Sequence, residues 1–473
     1  MSLPTNLPAF APEQPLPPEA EVESLTLEIR RSFEDPSSRV LVLDDDPTGV
    51  QTMHDIEILT AWEPELINRT LQQQPRLLYL LTNSRAFDEV EAVKLMASVV
   101  SVLRSAAAEN QIRFFPISRS DSTLRGHYPA ELGPLTQLLP ILPDGHLIVP
   151  AYPEAGRVVF DGCHFVYDHS QRRYIPVTDT DFSRDPTFGF SHYRLSEWVE
   201  EKSRGAWKSD QVLSLPLKMV RQGGPDEIAA LLSRARHNAP IVVDTVADSD
   251  LVVLAAGVLR AEAAGKRFLC RTAASFVRSR LGELPAATLD PDVIGTGPGL
   301  VLVGSYVQRT SEQLAAALAL PNVDSIELVV DRLFEQLGAE RHLKDLVQSI
   351  DSSLAAQRTA LVFTSRGLVS TRGRLQHVQI SAIVSDALSA IPTRLNRRPG
   401  WLLAKGGITS NDVLTKGLKA KSARVLGQVA SGVSALRLGP ESAYPGLPFI
   451  VFPGNVGGPS TLADLIQKLG VQE

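Results

Sequence analysis

The chain has 473 residues, 44% of them apolar and 21% charged, with a formal net charge of −6. That composition suits a globular protein of two or three domains and excludes a surface built to coat nucleic acid. No apolar run reaches the ~18–20 residues that a membrane-spanning helix needs, and two distant cysteines, Cys163 and Cys270, give neither a disulfide framework nor metal-ligand spacing, which fits a cytoplasmic protein.

Residues 1–25 are Pro-rich and acidic, without the basic start and apolar stretch of a signal peptide, and are expected to form a poorly ordered or surface-laid arm. Apolar runs then alternate with helical patterns. RVLVLDDD (39–46), RLLYLLTNS (76–84), RFFPISR (113–119) and HLIVPAY (146–152) are predicted strands, and DEVEAVKLMASVVSVLRSAAAEN (88–110) is a predicted amphipathic helix. At GELPAATLDPDVIGTGPG (282–299) the periodicity stops in a Pro/Gly/Asp-rich connection. It restarts with LVLVGS, ALVFTSRG, WLLAKGG and PFIVFPGN. The expected fold is α/β, with two domains (26–290 and 298–473), each a mostly parallel sheet flanked by helices. Ligands of such sheets sit at the carboxyl ends of the strands, where the polar motifs of this chain fall.

The first of these motifs is Asp44-Asp45-Asp46-Pro47-Thr48-Gly49. If the strand runs on through it, alternation points Asp44 and Asp46 to one side and Asp45 to the other. Two chemistries fit. Asp44 and Asp46 could be the nucleophile and acid of a D-x-D-x-T phosphatase of the haloacid-dehalogenase type. Alternatively, one carboxylate accepts a proton from a sugar hydroxyl while the others hold further hydroxyls, or Mg²⁺ through water. The densest motif, SRSDSTLRGHYPAEL (118–132), brackets Asp121, Ser122 and Thr123 with Arg119 and Arg125. Asp121 or Ser122 is expected to cap a helix starting near Thr123, and the arginine forks suit a carboxylate or phosphate. LTNSRAF repeats the pattern with Asn83, Ser84 and Arg85. DTDFSRDP (179–186) has the composition of a solvated loop, and His54, His127 and His164 are expected to be structural.

In the C-terminal half three strands run into small polar loops and then helices, at 301–318, 401–418 and 449–469. Glycines there permit close backbone approach, and the following helix offers free N–H groups, so each loop is a candidate phosphate cradle. Thr409, Ser410 or Asn411 is expected to cap the middle helix or donate to a phosphate. Neither G-x-x-x-x-G-K-[ST] nor G-x-G-x-x-G is present.

Taken together, LDDDPTGVQT, TNSRAF, SRSDSTLRGHYPAE, DTDFSRDPTFGF, GGITSNDV and PGNVGG resemble, in order, the motifs of the four-carbon acid sugar kinases, over residues 39–469. The resemblance implies an N-terminal domain for a sugar acid and a C-terminal domain for ATP, with Mg²⁺ on the phosphates and the reaction centre in the cleft between domains. It implies phosphorylation of the terminal hydroxyl of a compound such as threonate, erythronate or 3-oxo-tetronate. The implied catalytic residues are Asp44, Asp45, Asp46, Arg119 and Asp121. Those implied for substrate are Asn83, Ser84, Arg85, Arg119, Ser122, Thr123 and Arg125. Those implied for nucleotide are Ser305, Gly406, Gly407, Ile408, Thr409, Ser410, Gly454, Asn455 and Gly457. Ile408 stands where many members carry Glu, and GSYV where many carry GSCS; backbone contacts survive both changes. The rivals to a kinase are the phosphatase and a sugar-acid sensor without catalysis. A homodimer is expected only from the general frequency of dimers.

Overall fold

Strands that are apolar on both faces belong in a parallel sheet covered on both sides by helices. β1 (Ser38–Asp44) is such a strand, buried at every position. The computed structural model describes residues 13–46, 48–290, 293–295, 297–305, 308–335, 338–365, 377–454 and 456–470. The chain forms two units, residues 1–49 with 61–285 and residues 50–60 with 286–473.

β2 (Ile56–Leu59) belongs to the second unit. The first unit continues with β3 (Leu77–Leu81), β4 (Arg113–Arg119) and β5 (Gly145–Val149). There follow β6 (Arg157–Phe160), β7 (Cys163–Asp168), β8 (Arg173–Pro176), β9 (Leu213–Leu215), β10 (Ala239–Val243) and β11 (Phe268–Thr272). Its main sheet has the order β3-β1-β4-β11-β5-β10-β9, and every pairing is parallel. All seven carboxyl ends therefore open on one edge. Helix Glu89–Asn110 begins where Asp88 accepts a hydrogen bond from the Glu91 amide. Helix Glu19–Ser32, which begins within the expected arm and runs past its end, buries Val22, Leu25 and Ile29.

β6, β7 and β8 form a separate antiparallel sheet, which the sequence pattern did not announce. It packs through Val158, Cys163, Phe165 and Tyr174 against Leu217 and Val246. The helix expected near Thr123 is absent. Asp121 accepts from the Thr123 and Arg125 amides instead, which closes a turn.

The second unit adds β12 (Leu300–Val303), β13 (Val323–Leu328), β14 (Thr359–Thr364) and β15 (Leu402–Lys405). β16 (Ser422–Ala430), β17 (Val433–Leu438) and β18 (Pro448–Phe452) complete it. β13-β14-β12-β15-β18 run parallel, then β17, β16 and β2 continue antiparallel. Within the connection expected at 282–299, the second unit begins at residue 286: Leu289 N donates to Gln428 O at 2.6 Å, and Ile294 joins the core of Val301, Trp401 and Phe452. The sequence also gave no sign that residues 50–60 supply an edge strand here.

Candidate active site

β1, β3 and β4 are adjacent, so their carboxyl ends bring Asp44–Asp46, Asn83–Arg85 and Arg119–Arg125 together. Backbone bonds join the three ends. Thr82 N donates to Asp44 O at 2.8 Å, and Asp45 N donates to Arg119 O at 3.1 Å. β11 is bound in the same way, through Ser120 N to Thr272 O at 2.8 Å.

The charged side chains form two layers. In the inner layer Asp44 is fully buried; Tyr79 OH and Arg119 Nη1 donate to it, the latter at 3.1 Å, as does the Asp46 amide at 2.9 Å. Asp45, also buried, accepts from Ser120 Oγ at 2.7 Å and from Nε and Nη2 of Arg85. Asp46 belongs to the outer layer, its side chain 24% exposed. Arg85 Nη1 reaches it at 2.9 Å, and Thr48 donates through both amide and hydroxyl. Asp121 is close by, 3.9 Å from Arg85, and is gripped by Arg125 Nε at 2.9 Å and Nη2 at 3.3 Å.

The expected alternation fails here because β1 ends at Asp44. Beyond it the chain turns, and Asp45 and Asp46 share Arg85 while Asp44 stands apart with Tyr79 and Arg119. Gly49 makes room for this: a Cβ there would lie 1.8 Å from Asp44 Oδ2. With no exposed surface and this enclosure, Asp44 lacks the access that a phosphatase nucleophile requires.

Burial pushes the Asp44 carboxyl up to about 7, against the pull of Arg119. Burial also opposes ionisation of Asp46, but Arg85 and Arg119 outweigh it and hold that carboxyl below its ordinary range. Asp121 is held lower still, burial being overcome by Arg85 and Arg125. Arg119 is buried and Arg85 partly so, which opposes their charge, yet their aspartates raise both above the usual guanidinium value.

The other residues expected at the site make local contacts. Asn83 adopts the left-handed conformation (φ 52°) that starts the turn carrying Arg85. Ser84 is buried and accepts from Thr82 Oγ1 at 3.3 Å. Thr123 is buried with its hydroxyl on Asp121, and the Ser122 carbonyl accepts from His164 Nε2 at 2.7 Å. His127 is buried, its Nε2 3.1 Å from Phe87 O. The 179–186 segment is more than a solvated loop: Phe182 lies under the Arg125 guanidinium at 4.9 Å, and Asp185 is 3.9 Å from it. Sequence reasoning missed Arg271 on β11, which donates to Glu131, Ser120 Oγ and Arg125 O at 2.8, 3.1 and 2.9 Å. Its only signal was a charged residue inside an apolar strand.

In the second unit β12, β15 and β18 are neighbours, so their loops meet. Gly406 has φ 118°, and a Cβ on it would come within 3.1 Å of the Ser305 Cβ, so this close passage is kept for backbone. Ser305 Oγ accepts from Thr310 Oγ1 at 3.1 Å, and Thr310 Oγ1 reaches Gly454 O at 3.0 Å, tying two loops together. Thr409 and Ser410 are buried within helix Gly407–Asp412, whose cap is Gly406. Neither they nor Asn411 caps it. Ser410 Oγ binds Ala404 O at 2.8 Å, and Thr409 packs against Gly304. Gly407 and Gly457 remain accessible, and Ile408 is 64% exposed. Asn455 lies outside the described residues. Among the described residues, these loops meet through backbone and small side chains.

Residues 40–280 match the model of a sugar-binding N-terminal domain, and residues 300–462 match that of a nucleotide-binding C-terminal domain. The chain belongs to the four-carbon acid sugar kinase family. This kinase is 27% identical over 348 residues to a D-threonate kinase of Cupriavidus necator, covering 72% of this chain and 73% of that one. It is 28% identical over 414 residues to a 3-oxo-tetronate kinase of the same organism, covering 83% and 87%. The kinase also shares its fold with a Salmonella typhimurium LT2 protein (TM-score 0.69, 17% identity, 91% of this chain and 99% of that one). A Haemophilus influenzae protein is likewise similar in fold (TM-score 0.64, 18% identity, 91% and 100%). Among the described residues no helix is long and apolar enough to cross a membrane.

Proposed function

We propose that this kinase transfers the γ-phosphoryl group of ATP to the terminal hydroxyl of a four-carbon sugar acid such as threonate, erythronate or 3-oxo-tetronate. The reading rests on the outer layer of the charged cluster, where Asp46 is the accessible member of the aspartate triplet, ionised and flanked by Arg85 and Asp121. As the hydroxyl oxygen bonds to the γ-phosphorus and the bond to the β-phosphate breaks, ADP leaves with the electron pair and Asp46 takes the hydroxyl proton. A loose transition state demands little basicity, so a carboxylate with a low pKa suffices. Asp44, Asp45 and Arg119 hold this group in place from behind, and Asp121 and Arg125 offer partners for further hydroxyls.

ATP would place its phosphates on the loops after β12, β15 and β18, where Gly406 leaves the space that backbone contact needs. Mg²⁺ would arrive on those phosphates and neutralise their charge. Such a metal needs only one or two protein carboxylates, and among the described residues no group of three or more His, Cys, Asp or Glu side chains is placed to hold a metal ion.

ADP release assayed over a panel of four-carbon sugar acids tests the reading. Turnover on at least one acid, and none on a generic phosphate ester without ATP, is expected. ATP binding with no turnover on any acid would sink the substrate class.

A further inference from the structure

The arginines named from the sequence already have acidic partners. Arg85 holds Asp45 and Asp46, Arg119 holds Asp44, and Arg125 holds Asp121. A substrate carboxylate captured by any of them has to compete with an aspartate. Arg157, the first residue of β6, differs: among the described residues it has no carboxylate within ion-pair distance. It donates through Nη1 to the Ala155 carbonyl, and its buried Nε has no hydrogen-bond partner. The residue is half-buried, so part of it remains open to a ligand.

Its position follows from the small antiparallel sheet. β6 is tied to the Asp121 turn through His164, whose Nδ1 meets Val158 O at 3.1 Å and whose Nε2 meets Ser122 O at 2.7 Å. Arg157 and Tyr152 are bonded to each other both ways through the backbone, at 2.8 and 3.0 Å. The Arg157 guanidinium lies in the fields of Asp121 and Arg125, and Tyr152 lies in the fields of Arg119 and Arg157. Burial lowers the Arg157 guanidinium below its ordinary value, with Asp121 and Tyr152 opposing it and Arg125 adding to it, whereas Arg85 and Arg119 are raised. A cation that is partly desolvated and lacks a counter-ion at the rim of a polyhydroxy site is completed by an anion brought in with the ligand.

We propose that Arg157 is the seat of the substrate's carboxylate, so that it selects sugar acids over sugar alcohols while the aspartate cluster handles the hydroxyl end. The assignment rests on the sugar-acid reading above. Calorimetric titration of the full chain and of R157Q and R157K with threonate, erythronate and the matching four-carbon alcohols, plus ADP, tests it. R157Q is expected to bind the acid roughly 30- to 100-fold more weakly, the scale of a charge-assisted hydrogen-bonded pair. Its binding of the alcohol and of ADP stays within about twofold, and R157K recovers part of the loss. Equal acid binding by wild type and R157Q, or equal losses for acid and alcohol, overturns the role of Arg157 and leaves the kinase reading standing. A wild-type protein that binds ADP but no four-carbon acid overturns both.

Discussion

Two carboxylates 4 Å apart repel by about 1 kcal/mol in water and by several times that where water is excluded. Asp44, Asp45 and Asp46 are tolerated because each meets a different environment, and the differences assign roles. Asp44 is the group that strains against ionisation. Its folded-state pKa of about 7 lies above the ordinary carboxylate value, so the stability it contributes is full below about pH 4 and is lost as pH rises through about 7. The loss across that window is on the order of 4 kcal/mol. Urea unfolding at stepped pH should show this slope in the wild type and a flatter profile in Asp44→Asn; identical profiles would refute the assignment. Asp46 and Asp121 carry lowered values and act in the opposite sense. Their contributions are present above the ordinary carboxylate range and disappear as pH falls below it. For the reaction, Asp46→Asn should lower kcat by about 10²–10⁴-fold and leave ADP affinity unchanged. A kcat within tenfold of wild type would move the proton acceptor elsewhere.

The strands and the helix over 88–110 were legible because long apolar runs and a 3.6-residue period are strong signals, as were the glycine loops that follow β12, β15 and β18. What failed was geometry within a few residues of a strand end. Alternation along Asp44–Asp46 assumed a strand that had already stopped. The helix predicted near Thr123 rested on a cap residue, Asp121, which instead closes a turn with its own neighbours and with Arg125. Arg271 left one signal, a charge inside an apolar strand, and Arg157 left none, since nothing in its stretch of sequence separates it from an arginine on the surface. The sheet β6-β7-β8 that carries Arg157 is short-stranded and left little periodicity to read. Loop geometry yields two tests. Gly49→Ala forces a Cβ onto an Asp44 carboxylate pinned by Tyr79 and Arg119. It should cost about 1–3 kcal/mol, read as a lowered urea midpoint; an unchanged midpoint would mean that the turn relaxes. Gly406→Val should weaken ADP binding at least tenfold in a titration while sugar-acid binding persists, and loss of both would indicate misfolding rather than a filled cradle.

Across the whole chain, two ligands with separate seats should leave separate footprints. In hydrogen exchange, ADP should slow the amides around Ser305, Gly406–Ser410 and Gly454. A sugar acid should slow those around Asp44–Gly49, Asn83–Arg85 and Arg119–Gly126. Protection of the second set by ADP alone would contradict the division of labour. The family match, residues 40–280 for sugar and 300–462 for nucleotide, predicts the same partition.

Each unit is assembled from two separate stretches of the sequence. β2 supplies the antiparallel edge beside β16, pairing Ile56 with Val425 and Leu59 with Ser422, and Thr60 Oγ1 reaches Ala420 O across 360 residues. During synthesis this strand emerges early and waits for a partner made much later, so the second unit cannot complete its sheet until nearly the whole chain exists. Cutting the gene at the apparent boundary should therefore give a fragment 286–473 with an open β16 edge, prone to self-association. Supplying residues 50–60 as a separate peptide should rescue it, which would make this kinase a natural scaffold for strand complementation.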